Sequence, residues 1–285
     1  MIRRCSFVAV AVLALCSVAR AQDKMDIKVR MNKGDRFAFN SQTVVRLQMK
    51  VSAGTETQDI NQTITDLDKG TFTVLAAENG VPSSIQIAYE AGWCGKKTEA
   101  AGKPAESVAS PLGGKTFTAT RGADGKVTAD YQGQLDEDML KDIAGHLMAG
   151  APFLPKQPVA VGEEWDADEA AMRAGGLLGP NDRAQVRLKL LGVTDEGGIR
   201  KAQIALKGAL QMTPAPNMPI KAQVEGTVVL DLARGNAISF NLKGAMTIAA
   251  TQEVPGQDGK AVTVQIAGMG SMEVQNSTTF AGNAP

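Results

Sequence analysis

Histidine occurs once in 285 residues, at His146. That scarcity excludes metal centres built from several imidazoles and leaves a Ser-His-Asp relay with one residue to commit. The sequence also lacks a G-x-S-x-G nucleophile elbow, a phosphate-binding loop and a dinucleotide fingerprint. Cysteine is almost as rare, because Cys5 and Cys16 fall within an apolar leader and only Cys94 lies beyond it. An intrachain disulfide is then impossible, so stability has to come from packing and backbone hydrogen bonds. The segment Gly92-Trp93-Cys94-Gly95-Lys96-Lys97 contains half of a redox motif, but the second thiol is missing and a lone cysteine cannot cycle through an internal disulfide. A half-buried structural cysteine is the expected role. Aromatic residues make up 4% of the chain, and neither sign of charge dominates, with 30 basic and 30 acidic residues.

What is present begins with the leader. Arg3 and Arg4 precede an apolar stretch from Phe7 to Leu15, and Ala19-Arg20-Ala21 forms an A-x-A cleavage site. Residues 1–21 therefore read as a signal peptide. Its apolar core is shorter than the roughly 20 residues that span a bilayer, and no later stretch is long and apolar enough to do so. The alternative of a lipid anchor at Cys16 fits less well, since the preceding Leu15 is larger than a lipobox accepts. The expected location is the periplasm or the outside of the cell. Removing 21 of 285 residues leaves about 264, enough for one large domain or two modest ones. The leader takes Arg3, Arg4 and Arg20 with it, leaving 27 basic residues against 30 acidic. Such a surface does not suit a nucleic-acid partner.

Beyond the leader the dominant period is two. Ile27, Val29 and Met31 alternate with polar residues, as do Val45 to Val51, Ile85 to Tyr89, Val127 to Tyr131, Val186 to Leu190, Ile238 to Leu242 and Val262 to Ile266. Alternation of this kind buries one face of a strand and wets the other. About a dozen strands joined by Gly, Asn and Asp turns predict a mainly β, largely antiparallel fold of curled sheets or half-barrel lobes. One segment departs from it: Leu135, Met139, Ile143 and Leu147 recur every four residues, predicting one amphipathic helix over 134–149, with His146 flanking its apolar stripe. A shorter helical pattern covers Asp168 to Arg173, and Glu99 to Lys115 reads as a long surface loop.

The two halves echo each other. Lys33-Gly34-Asp35-Arg36-Phe37 matches Val161-Gly162-Glu163-Glu164-Trp165, and hairpins turning through Ala123 to Lys126 and Ala233 to Asn236 follow at similar places. Chance recurrence in a β protein explains this as well as duplication does. The organisation expected is an N-terminal β lobe over 22–150 that includes the helix, and a C-terminal β lobe over 151–285.

Two clusters invite a functional reading. Glu163, Glu164, Asp166, Asp168 and Glu169 could offer oxygens to calcium, but the EF-hand spacing is absent and a solvated sheet edge is the simpler account. Twelve methionines, among them Met246, Met269 and Met272, could line a surface that adapts to an irregular apolar ligand, or could fill a core short of aromatic bulk.

The G-D-x-F opening at Gly34, the segment Pro158 to Trp165 and the hairpin Gly226 to Gly244 resemble an uncharacterised family of exported bacterial β-rich proteins, which supplies no activity. In architecture the chain is similar to periplasmic lipoprotein carriers, a resemblance that implies a curled sheet cupping a helix and holding acyl chains. The function expected is thus non-enzymatic: an exported envelope protein that binds an apolar or lipidic ligand, without metal or cofactor, with Met139 and Ile143 as candidate ligand-binding residues. The alternative is a structural or protein-interaction module with a fully packed core. A cavity beneath the helix separates the two.

Overall fold

The computed structural model describes residues 24–283 apart from 93, 124, 131–136, 149, 175–177, 214–216 and 256–260. The segment 1–21 expected to be a signal peptide, Cys16 included, lies outside the described residues, as do Leu135 and Tyr131.

In chain order the strands are β1 (Asp35–Ala53), β2 (Glu56–Glu78), β3 (Val81–Tyr89), β4 (Gly95–Ala100), β5 (Glu106–Ala109), β6 (Thr116–Arg121) and β7 (Val127–Asp130). Helix α1 (Glu137–Met148) and a 3-10 turn (Ala151–Phe153) lead to β8 (Glu164–Asp166) and helix α2 (Glu169–Ala174). The chain closes with β9 (Arg183–Glu196), β10 (Ile199–Met212), β11 (Ile220–Asp231), β12 (Asn236–Pro255) and β13 (Ala261–Asn283). All 13 strands belong to one open antiparallel sheet, ordered β7-β6-β3-β2-β1-β13-β12-β11-β10-β9-β8, with the β4–β5 hairpin attached to β2. The final strand is the seam: β13 pairs with β1 along one side and β12 along the other, joining the two halves of the chain into one surface.

The alternation in sequence assigns the two faces. Val45, Leu47, Met49 and Val51 of β1 are half-buried, while Arg46, Gln48 and Lys50 are exposed. Cross-strand register carries the same apolar face through Ile266 of β13 and Ala250 of β12, both in line with Val51. At one end of the sheet this face closes into a core. An N-terminal cluster gathers Phe37, Phe72, Ile85, Ile87 and Phe117 under α1, which contributes Ile143 and Leu147. A second cluster gathers Val186, Leu188, Leu190, Ile204 and Leu230 under α2. Burying a side chain of this size contributes about 1.5–3 kcal/mol, and the stacked Phe37–Phe72 pair, 4.9 Å between centroids, adds roughly 1 kcal/mol.

The echo between the halves has a geometric counterpart. At Gly34 φ is 92° and at Gly162 it is 91°. Each glycine N–H donates to a strand carbonyl, that of Val74 in β2 at 2.8 Å and that of Leu190 in β9 at 2.7 Å. In each turn the following acid accepts from the backbone N–H three residues back: Asp35 from Asn32 at 2.8 Å, Glu163 from Ala160 at 3.0 Å. The aromatic that follows, Phe37 or Trp165, then packs against its own cluster.

Two expectations change. Ile27, Val29 and Met31 alternate as read, and all three are buried, but the segment runs outside the sheet apart from one bridge between Met25 and Val159. Its polar backbone is satisfied by hairpin loops instead: Arg30 N–H donates to the Arg234 carbonyl at 2.7 Å and Met31 N–H to the Gly80 carbonyl at 2.9 Å. The stretch 99–115 is not a structureless loop, since it holds the end of β4, the turn and β5, which folds back as a hairpin on β4. The cause lies in β2, where β3 covers only Gly70 to Glu78 and leaves the edge from Gln62 to Leu67 for β4 to pair.

Candidate functional site

A cavity of about 480 Å³ lies on the inner face, between the sheet and the segment running from α1 to the 3-10 turn. Its floor is the seam, with Ser41 and Thr43 from β1, Val274 and Asn276 from β13, and Phe240 from β12. One wall carries Phe39, Phe72 and Tyr89 from the N-terminal half, and the opposite wall Leu188, Ile204 and Val228 from the C-terminal half. Gly145, His146, Pro152 and Phe153 form the roof. From β3 to β9 the sheet order takes seven steps, a separation of roughly 34 Å in a flat sheet at the usual strand spacing. Residues so far apart can line one cavity only because the sheet curls.

Local sequence explains the roof. The helical stripe seats Ile143 and Leu147 in the core, which turns the intervening Gly145 and His146 toward the open space. A Cβ added at Gly145 would meet nothing within 4 Å outside its own helix. Of the residues expected to contact a ligand, Ile143 is fully buried in the N-terminal cluster, and Met139 packs at that cluster's edge. The helix presents Gly145 and His146 to the cavity instead. Spacing in the sequence marked His146 only as a stripe neighbour, because the curl that opens space above it depends on pairings between strands distant in the chain.

The His146 ring sits among aromatics, with centroids 4.4 Å from Phe39, 5.9 Å from Phe72 and 6.2 Å from Tyr89. Burial there pulls its pKa from 6.5 down to about 4, so the imidazole is neutral near neutral pH. Polar groups gather on the floor, where the Ser41 hydroxyl donates to Asn276 Oδ1 at 2.7 Å. Asn236, 4% exposed, also lines the cavity, and its Oδ1 has no hydrogen-bond partner among the described residues.

The apolar floor continues beyond the roof. Ala222, Val224 and Met246 form a third buried cluster with Val45, Leu47, Leu242 and Met272 packed against it. The methionines singled out from sequence therefore divide, with Met246 buried, Met272 half-buried and Met269 on the outer face, 64% exposed.

The other candidates take structural places. Cys94 is buried, and its thiol donates to the carbonyls of Lys69 at 3.4 Å and Glu90 at 3.5 Å. Burial raises its pKa, which disfavours the reactive thiolate. The acidic cluster is matched by cations along the edge strand β8: Glu164 pairs with Lys189 at 3.5 Å and Asp166 with Arg187 at 3.4 Å, each directly across the β8–β9 ladder. Asp168 caps α2 by accepting from Ala171 N–H at 3.0 Å, and it pairs with Lys156. The Lys156 contact and that cap hold its carboxyl below the usual range.

No protein-family model and no curated protein matches the chain. Among solved structures it is similar to one describing lipid–protein interactions in lipovitellin, with a TM-score of 0.49 and 8% identity over 90% of this chain. The match spans 26% of the lipovitellin chain. An outer membrane channel from Pseudomonas putida F1 aligns over 90% of this chain and 99% of its own, with 8% identity and a TM-score of 0.21. A structure described as an outer membrane lipoprotein-sorting protein domain, from Vibrio parahaemolyticus, aligns over 86% of this chain and 87% of its own, with 9% identity and a TM-score of 0.14. Likenesses at this level assign no function, and the site stands on its own geometry. Among the described residues, no helix is long and apolar enough to cross a membrane.

Proposed function

We propose that this is a non-catalytic exported protein of the cell envelope that holds an apolar or lipidic ligand in the hollow of its curled sheet. The observation that carries the reading is the roofed cavity, which a fully packed interaction module would not contain. About 480 Å³ falls inside the range of roughly 300–1,000 Å³ common for small-molecule sites. Aliphatic and aromatic side chains make up most of its lining, beside a substantial polar share that includes Ser41, Thr43, Asp68 and Asn276, a mixture in which burial supplies affinity and hydrogen bonds supply orientation. The apolar face that runs on past the roof toward Met246 and Leu47 gives a long ligand tail a path along the sheet.

Native mass spectrometry of the purified protein, followed by solvent extraction, tests this reading. One bound apolar molecule per chain supports it. A clean apo mass that persists after incubation with extracted envelope lipid contradicts it and favours the interaction module.

A further inference from the structure

Rings are scarce in this chain, with eight phenylalanines, two tyrosines, two tryptophans and one histidine in 285 residues. Among the described residues, four of those phenylalanines, one tyrosine and the histidine line the cavity. On one side His146 of the roof meets Phe39 of β1, with ring centroids 4.4 Å apart. On the other, Phe153 of the roof meets Phe240 of β12 at 5.8 Å. Each side thus carries an aromatic pair that reaches from roof to floor. Between the pairs the floor is β13, where Thr278 lies across from Phe39 and Asn276 across from Phe240, both shorter than the rings beside them. In the roof Gly150, between His146 and Phe153 in sequence, lines the same space, and a Cβ added there would meet nothing within 4 Å beyond its chain neighbours. The core rings of Phe37 and Phe117 are fully enclosed, whereas His146, Phe153 and Phe240 are only half-buried. Strands β1 and β12 are two strand spacings apart, roughly 10 Å in a flat sheet. A flat molecule set over β13 therefore lies about 5 Å from the pair on each side, within the range at which aromatic rings attract one another beyond the burial of area. That attraction is worth roughly two- to tenfold in affinity per ring pair, and a saturated molecule gains burial alone.

We propose that the ligand carries a flat aromatic ring system, held over β13 between the His146–Phe39 and Phe153–Phe240 pairs, with any chain attached to it lying along the apolar floor. This rests on the ligand-binding reading above and names the class of molecule the cavity selects.

The test compares 2-naphthaleneethanol with its decahydro counterpart, which share a carbon skeleton and an aliphatic hydroxyl while only the first is flat and aromatic. Calorimetric titration of the purified protein near neutral pH should show the aromatic alcohol binding about tenfold more tightly. Phe240→Leu and Phe153→Leu each remove one ring and keep a branched apolar side chain, so either variant that folds serves. Each should weaken the aromatic alcohol by roughly fivefold and change the saturated one by less than about twofold. A saturated alcohol that binds as tightly as the aromatic one in the unaltered protein overturns the ring assignment while leaving the cavity a ligand site. An equal loss for both alcohols in a folded variant overturns that assignment as well. Failure of both alcohols and of 1-decanol to bind overturns the ligand-binding reading itself.

Discussion

The ring of His146 lies 4.4 Å, centroid to centroid, from that of Phe39, so the only histidine of the chain forms part of the aromatic lining of the cavity. Its environment has a thermodynamic consequence. Folding lowers its pKa from 6.5 to about 4, so between these values the unfolded chain binds more protons than the folded one. Stability from the neutral imidazole is therefore complete above pH 6.5 and is lost as pH falls toward 4, by up to about 3 kcal/mol. Thermal midpoints measured across this window should fall more steeply for the natural protein than for His146→Gln. A parallel decline in both would show that the imidazole does not carry the effect. NMR titration of the single imidazole gives the same answer independently.

The crossing of the N-terminal segment over the β11–β12 hairpin depends on Gly235. Its φ is 67°, and a Cβ there would overlap the Lys28 carbonyl oxygen and crowd Val29 Cα. Since both contacts are backbone, no side-chain rotation relieves them. Gly235→Ala should cost about 2 kcal/mol or more, read as a lower urea midpoint with an unchanged slope. An unaltered midpoint would mean that the segment does not hold this position in solution.

Cys94 offers a kinetic check on its surroundings. Burial, reinforced by the negative charges of Asp68 and Glu90 and partly offset by hydrogen bonding with the Lys69 backbone, raises its pKa. Iodoacetamide should modify the folded protein far more slowly than the urea-unfolded chain at the same mildly alkaline pH. Equal rates would indicate an accessible, reactive thiol.

Much of this architecture was legible in the residue order because strand alternation and helix periodicity are local properties. The face formed by Val45, Leu47, Met49 and Val51, and the core stripe of Ile143 and Leu147, follow from the two periods alone. The matched turns at Gly34 and Gly162 were visible as a motif, because the glycine, the acid and the aromatic each perform one local task. The position of β13 between β1 and β12 was not legible. That pairing joins Asp35 to Asn283 across nearly the whole chain, and no local pattern specifies it. The cavity inherits the same difficulty, since Tyr89 and Leu188 become opposite walls only after the sheet curls. Asn236 reads in sequence as an ordinary turn residue. Its buried, unpartnered carbonyl exists only once the hairpin folds against the cavity.

The measurement that tests the central claim most directly follows His146 by NMR while 1-decanol is titrated into the natural protein and into Gly145→Leu. The cavity roof is open at Gly145, with nothing outside its own helix within 4 Å of an added Cβ, and leucine is favoured over glycine within a helix by about 1 kcal/mol. The substitution should therefore narrow the cavity beside His146 without unfolding the protein. A saturable, one-site shift of the imidazole resonances in the natural protein that is clearly weakened in Gly145→Leu is the predicted result. An imidazole that does not move in the natural protein, or moves equally in both, would contradict binding in this cavity.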